Sequence, residues 1–191
     1  MRRVLAVLIA LVTALGIVGW RSTSTASVGR TAAPLATIGN SSVTGNYSVL
    51  MTFHDPVTGQ EGNGAGTFVF NGNGVLSGVL SENSRCLACP GNGVNIRAHV
   101  VPPSSYVVYS DASATLDICL HITNAVTTQN GTPAPTNQYV EVMWEGAFAE
   151  FFTDGRFIQT LLNPTPSTTG CDRSVPWVQT PNVTTGDLEK V

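Results

Sequence analysis

The sequence is poor in charge and above all in lysine. Charged residues make up 11% of its 191 residues, and the only lysine is Lys190. Proteins that bind phosphate backbones or anionic lipid surfaces use clusters of Lys and Arg. No basic run follows Arg2 and Arg3, and the formal net charge is −3. The sequence therefore disfavours a nucleic-acid partner.

The motifs of several common enzyme classes are also absent. The chain has no Gly-x-Ser-x-Gly elbow, no phosphate-binding glycine loop and no histidine pair of the metalloprotease type. These absences lower the expectation of a familiar hydrolase or nucleotide-dependent enzyme. We predict no cofactor, and we expect a non-enzymatic role rather than an enzymatic one.

No stretch shows the helical spacing of apolar residues, whereas short alternating runs separated by turn residues recur along the chain. The clearest turn is Asn71-Gly72-Asn73-Gly74, whose residues supply the positive φ angles of a tight hairpin. The predicted strands span residues 47–53, 66–70, 75–80, 94–101, 106–109, 115–123, 139–152 and 156–162.

This order of strands predicts an all-β fold, an antiparallel meander of about eight strands. Closure of the meander into a barrel is favoured because it removes the exposed edges that an open sheet has to protect. A two-sheet β-sandwich is the alternative, since the sequence does not show whether the first and last strands pair.

The N-terminus has the pattern of an export signal. Arg2 and Arg3 precede an uncharged and largely apolar stretch from Val4 to Trp20. Ser24-Thr25-Ala26 offers small residues to a signal peptidase, so we place cleavage after Ala26. The predicted location is secreted or periplasmic, with no stable membrane insertion after cleavage. The alternative is an uncleaved N-terminal anchor that leaves the protein facing outside the cytoplasm.

The rest of the chain divides into three parts. Without the signal peptide (1–26), six basic residues face twelve acidic ones, a net charge of about −6. Residues 27–44, rich in Ser, Thr, Ala and Gly, are predicted to be a flexible leader. The β-barrel domain is assigned to residues 45–162. The Pro- and Thr-rich residues 163–191 are predicted to be a tail that packs loosely on the barrel.

Four cysteines lie in the exported part of the chain: Cys86, Cys89, Cys119 and Cys171. An even number in an oxidising compartment predicts two disulfides, although four cysteines permit three pairings. We assign Cys86 to Cys89 across a local turn, and Cys119 to Cys171 between the barrel wall and the tail. Redox activity is disfavoured because Pro90 forbids a helix after Cys89. A zinc site that includes His121 is a further alternative, but no metal is predicted.

Charged residues inside strand patterns are the remaining candidates for chemistry. Along the strand from Tyr139, alternation leaves Glu141 and Glu145 in solvent. The opposite register would bring a glutamate beside Arg97 or Arg156 inside the barrel. The apolar residues expected on the inner face of this strand are Val140, Val142, Trp144 and Phe148.

Two motifs carry a resemblance to a known family. Gly45-Asn46-Tyr47 opens the first strand, and Gly66-Thr67-Phe68 leads into the turn Asn71-Gly72-Asn73-Gly74. Together they resemble small calycin-like barrels, the group that contains lipocalins and allene-oxide-cyclase-type barrels, over residues 45–162. Tyr47 stands where the early lipocalin motif has tryptophan, and no catalytic residue is carried over.

The leading hypothesis for function is an exported barrel that binds a small apolar or amphipathic molecule. One alternative is that the same aromatic residues fill a dry core. A second is a cyclase or isomerase that uses an internal Glu or Arg, and a third is a surface or matrix component that acts through its leader and tail. The candidate ligand-lining residues are Tyr47, Phe68, Phe70, Trp144 and Phe148.

Overall fold

The structure is a computed structural model of the chain. It describes residues 37–56, 59–86, 92–127, 130–134, 136–163, 167–171, 176–179 and 183–191. The predicted signal peptide and the first part of the predicted leader lie outside these residues. Within the described ranges, no helix is long and apolar enough to cross a membrane.

The described chain is mainly β, with short 3-10 turns at Asn40–Ser42 and Glu150–Phe152. The strands are β1 (Thr44–Asp55), β2 (Gln60–Asn71), β3 (Leu76–Arg85), β4 (Val94–Val108), β5 (Ser113–Thr127), β6 (Gln138–Phe148), β7 (Asp154–Leu162), β8 (Val178–Gln179) and β9 (Val183–Lys190).

Strands β1 to β7 form an antiparallel meander, and β9 pairs with both β7 and β1. This pairing closes an eight-stranded barrel, and the two-residue strand β8 pairs with the end of β7 beyond β9. The all-β barrel predicted from the sequence is confirmed, and the sandwich alternative is wrong.

The closing strand differs from the sequence prediction, which placed residues 163–191 in a loosely packed tail. Thr184 and Leu188 of β9 face the interior, and Leu188 is 2% exposed. Regular structure therefore resumes after Leu162. The prolines that precede β9 hide this strand from a sequence pattern, but Thr184, Gly186 and Leu188 have the alternation of a half-buried strand.

A second difference lies in β4, where the sequence predicts two strands separated by a reversal at Pro102-Pro103. The structure has one strand with a bulge between Val101 and Ser105. The Ser104 hydroxyl accepts a hydrogen bond from the Cys119 N–H at 2.8 Å and donates one to the Val101 carbonyl at 2.6 Å. A side chain thus links β4 to β5 where proline has no N–H to offer.

One end of the barrel is filled by aromatic side chains. The rings of Tyr47, Phe70 and Phe148 pack edge to face, with centroids 5.0 to 5.9 Å apart. Tyr106 and Phe157 extend this group through contacts with Phe70 and Phe148. We call these five residues the aromatic plug. All five side chains are buried, so they supply a large apolar area to the core at that end of the barrel.

The end of the predicted leader covers the aromatic plug. Val43 is fully buried, and its carbonyl accepts a hydrogen bond from the Tyr106 hydroxyl at 2.9 Å. The same hydroxyl accepts a hydrogen bond from the Gly72 N–H at 2.8 Å, which ties the β2–β3 turn to the plug. From Asn40 onward the chain is therefore part of the barrel rather than a leader.

A disulfide joins Cys119 on β5 to Cys171, as predicted. The sequence separation of 52 residues gives a stabilisation of roughly 4 kcal/mol in the chain-entropy treatment. The bond also removes both thiols from the alternative zinc site. Cys86 is disulfide-bonded as well, and Cys89, its predicted partner, lies outside the described residues.

The prediction that Glu141 lies in solvent is wrong, because Glu141 is 2% exposed. Its strand has the predicted parity, so it points outward from the barrel, but the chain after β7 covers this part of the wall. The Asn163 N–H donates to the Glu141 carbonyl at 2.9 Å, and Ser167 pairs with Tyr139. Glu145, further along the strand, is exposed as predicted.

The role of β9 can be tested by replacing Leu188 with alanine. Loss of a buried leucine from the barrel core is expected to lower the free energy of unfolding by about 2 to 5 kcal/mol. Glu189→Ala, the matched change at the neighbouring exposed position, is expected to cost no more than about 0.5 kcal/mol. Urea denaturation of the oxidised protein measures both. Equal, small effects would show that this segment does not close the barrel.

Candidate ligand-binding site at the open end of the barrel

The end of the barrel opposite the aromatic plug contains a cavity of about 190 Å³. Each of the eight barrel strands contributes at least one lining residue. The polar lining residues are Gln60, Glu82, Gln159 and Thr184, and the apolar ones include Met51, Leu80, Ile96, Leu120, Val142 and Trp144. The cavity is therefore an apolar chamber with a few polar groups in its wall.

Glycines on the inner wall create this space. The inward positions of β2 at the open end are Gly62 and Gly64, and Phe53 of β1 lies against Gly62. On the other side, the Trp144 ring lies against Gly186 of β9. A Cβ at Gly62 or Gly186 would overlap the adjacent ring. Glycine therefore lets both rings lie close to the barrel wall.

Glu82 is the only ionisable residue of the described cavity lining. Leu80 and Ser84, on the same face of β3, are both buried, so the strand parity points Glu82 inward. Its direct neighbours across the sheet are Gly64 of β2 and Ile96 of β4. Burial raises the pKa of the Glu82 carboxyl to about 7, because a low-dielectric environment disfavours the charged form.

A second polar group in the cavity wall is the indole of Trp144. This residue is 2% exposed, and its Nε1–H has no hydrogen-bond partner among the described residues. An unsatisfied buried donor costs about 1 to 3 kcal/mol. In the part of the chain that the structure describes, the Glu82 carboxyl likewise makes no hydrogen bond or ion pair. The described residues that line the cavity thus include one unpartnered donor and one unpartnered acceptor.

The five aromatic residues predicted to line a ligand site are divided by the structure. Trp144 lines the cavity. Phe68 packs against the Trp144 ring, with ring centroids 6.0 Å apart, and lies between the cavity and the aromatic plug. Tyr47, Phe70 and Phe148 belong to the aromatic plug. The Tyr47 hydroxyl donates to the Phe152 carbonyl at 2.6 Å, and burial raises its pKa to about 12.

The charged residues considered as an internal acid and its counter-charge lie elsewhere. Arg97 and Glu145 are exposed, and Arg156 forms a surface ion pair with Asp187 at 2.9 Å. The inward glutamate is Glu82, which the sequence analysis missed because it ended the third strand at Leu80. Continuing the same alternation by one more step would have found it.

The cavity shares Gln60, Ile96 and Ile122 with a groove of about 500 Å³ at the mouth of the barrel. This groove runs along β4 and β5 and is also lined by Pro133 and Ala134, from the chain between β5 and β6. A ligand longer than the cavity can therefore extend into an apolar groove at the barrel mouth.

The histidine named in the alternative zinc site lies on the outer wall. His121 stacks on Tyr139, with ring centroids 4.3 Å apart, and its Nε2 is 2.9 Å from Asn137 Oδ1. His99 is its direct neighbour on β4. The described residues contain no group of three or more His, Cys, Asp or Glu side chains that could hold a metal ion.

The chain matches no protein-family model, and the searches of curated proteins and of solved structures gave no match. The strand pairing shows the closed antiparallel barrel without such a comparison. Any assignment of function therefore depends on the geometry and chemistry of the cavity.

Glu82→Gln tests the burial of this carboxyl. The folded-state pKa of about 7 exceeds the ordinary 4.5, so the folded state holds this proton more tightly than the unfolded chain. The protonated Glu82 carboxyl therefore contributes to the free energy of unfolding below about pH 4.5. This contribution, about 3 kcal/mol at most, is lost as the pH rises to about 7. The variant lacks this loss, so its stability relative to the wild type should rise between pH 4.5 and pH 8.

Denaturant unfolding at the two pH values measures this difference. Glu145→Gln removes a carboxyl from the exposed face of β6 and serves as the matched control, which should follow the wild type. If both variants behaved alike, the carboxyl of Glu82 would not be buried in the folded protein.

Proposed function

We propose that the protein binds a small, mostly apolar molecule in the open end of its barrel. The observation that carries this proposal is the contrast between the two ends. One end is packed with the buried rings of the aromatic plug, whereas the other keeps an apolar cavity lined from all eight strands. Ligand sites are typically concave and apolar, with a few polar groups that orient the ligand.

The size of the cavity limits the ligand. Its volume of about 190 Å³ is below the roughly 300 to 1,000 Å³ of sites for drug-sized molecules, and it holds about six water-sized groups. The enclosed part of the ligand is therefore short, and any longer part lies in the mouth groove. Burying six methylene groups contributes about 5 kcal/mol before the costs of association, so a six-carbon probe should bind weakly.

We further propose that this is an exported, calycin-like carrier, secreted or periplasmic. The signal-peptide pattern at residues 1–26 supports export. The Cys119–Cys171 disulfide is compatible with an oxidising compartment. The meander barrel with ligand space at one end supports the likeness to calycins.

A cyclase or isomerase is the second candidate, and Glu82 is the observation that favours it. A carboxyl with a pKa of about 7 suits general acid–base catalysis near neutral pH. The described cavity lining contains no second ionisable side chain to act with it. Binding is therefore better supported than catalysis. A surface or matrix role is expected to use the leader and the tail, but residues 40–44 and β9 belong to the barrel wall, which leaves less of both segments for such contacts.

Binding can be tested by titrating the oxidised protein with 1-hexanol, a neutral probe, and recording NMR spectra. Saturable shifts are expected for the Trp144 indole N–H and for the methyl groups of Ile96 and Ile122, which line the cavity. Leu120→Trp should abolish them by filling the cavity. Val107→Trp, on the exposed outer wall, should bind hexanol like the wild type. The absence of saturable shifts in the wild type would show the proposal to be wrong.

A further inference from the structure

We propose that the cavity selects ligands that carry a protonated amine beside their apolar part, and that Glu82 is the residue that recognises this amine. The inference rests on the proposed function, since it names the chemical class of the molecule bound at the same site. It also assigns Glu82 as the specificity-determining residue of the cavity.

The first step is the position of the carboxyl. Glu82 lies in the inner wall between Gly64 and Ile96, and neither neighbour has a polar side chain. Within the described residues, no donor reaches the Glu82 oxygens. A ligand in the cavity therefore meets a carboxyl whose hydrogen-bonding capacity the surrounding protein does not use. A half-buried acceptor without a protein partner favours a ligand that supplies a donor.

The second step is the sign of the charge. The inward acidic residues at this end are Glu82 and Asp55, which is 9% exposed and lies opposite Gln60. Arg85 and Arg97 are on the outer face of their strands. In the described ranges, no Lys, Arg or His lines the cavity. The one charge of the described cavity lining is therefore that of Glu82, which attracts a cation and opposes a carboxylate.

The third step compares neutral and charged donors. An ammonium donates a charge-assisted hydrogen bond to a carboxylate, and such bonds are about twice as strong as those between neutral groups. The carboxyl is already desolvated in the empty protein, as its raised pKa indicates. Much of the desolvation of the carboxyl is therefore already present before binding, and the hydration of the ligand is the larger loss. The expected order of affinity is amine, then alcohol, then carboxylate.

The same geometry gives a pH dependence with a defined sign. An ammonium stabilises the ionised form of Glu82, so the affinity for an amine rises as the pH increases through about 7. A ligand carboxylate prefers the protonated form of Glu82, so its affinity falls over the same range. Asp55 is the other carboxyl on an inward position at this end, while Gln60, Gln159 and Thr184 in the lining do not titrate.

The test compares hexylamine, 1-hexanol and hexanoate, which share one apolar chain, by NMR titration of the oxidised protein at pH 8. Hexylamine is expected to bind at least about tenfold more tightly than hexanoate, as a charge-assisted hydrogen bond would give. Glu82→Gln should remove this preference and still bind hexanol, which shows that the cavity is intact. Glu145→Gln removes the same charge from the outer wall and should keep the preference.

Each alternative result has a separate meaning. If none of the three compounds binds, the proposed function is wrong and the amine preference is wrong with it. If hexanol binds but hexylamine gains no advantage, the amine preference is wrong and ligand binding stands. The same holds if Glu82→Gln retains the preference of the wild type. Repeating the hexylamine titration at pH 6 should give a weaker affinity, and an unchanged affinity would contradict the role of Glu82.

Discussion

The pairing of β9 with both β1 and β7 is the constraint on which the rest of the structure depends. Without it, β1 and β7 would be the edges of an open sheet, each with a row of unpaired backbone groups. Closure satisfies those groups and turns one face of every strand into an interior. The distinction between a plugged end and an open end exists only because the sheet is closed.

A change of side-chain size along single strands divides this interior. On β2, the inward residues pass from Phe70 and Phe68 at the plugged end to Gly64 and Gly62 at the open end. The aromatic half supplies packing and buried apolar area, which stabilise the barrel. The glycine half leaves space. One strand thus contributes both to the stable core and to the cavity, because its register is fixed by its neighbours.

The sequence predicts the strand type well, since alternation is a local property of the chain. Trp144 and Phe148 point inward as their parity requires. The errors arise where non-local contacts decide the outcome. The outward Glu141 is buried by a distant segment, β9 becomes a strand through pairing with β1 and β7, and Pro102 is accommodated because Ser104 bonds to β5. Such contacts depend on the closed barrel and leave no short motif in the sequence.

The candidate site was partly predictable by the same reasoning. The alternation of β6 alone predicts that Trp144 points inward. The same alternation points Tyr47, Phe70 and Phe148 inward too, so it does not distinguish the plug from the cavity. Whether an inward aromatic ring fills the barrel or leaves a cavity depends on the residues that face it. Gly186, for example, gives the Trp144 ring room to lie close to the wall. Glu82 continues the inward alternation of β3, but the predicted strand stops at Leu80, whereas β3 extends to Arg85.

The position of Glu82 is the strongest argument that the cavity has a function. A half-buried carboxyl beside Gly64 and Ile96 lowers the stability of the barrel at neutral pH, because its charged form is partly desolvated. An apolar residue there would complete the core at lower cost. The aromatic plug and the Cys119–Cys171 disulfide stabilise the barrel from elsewhere, and they allow the open end to retain a group that is unfavourable for folding. Groups of this kind are typical of sites whose missing interaction is supplied by a ligand.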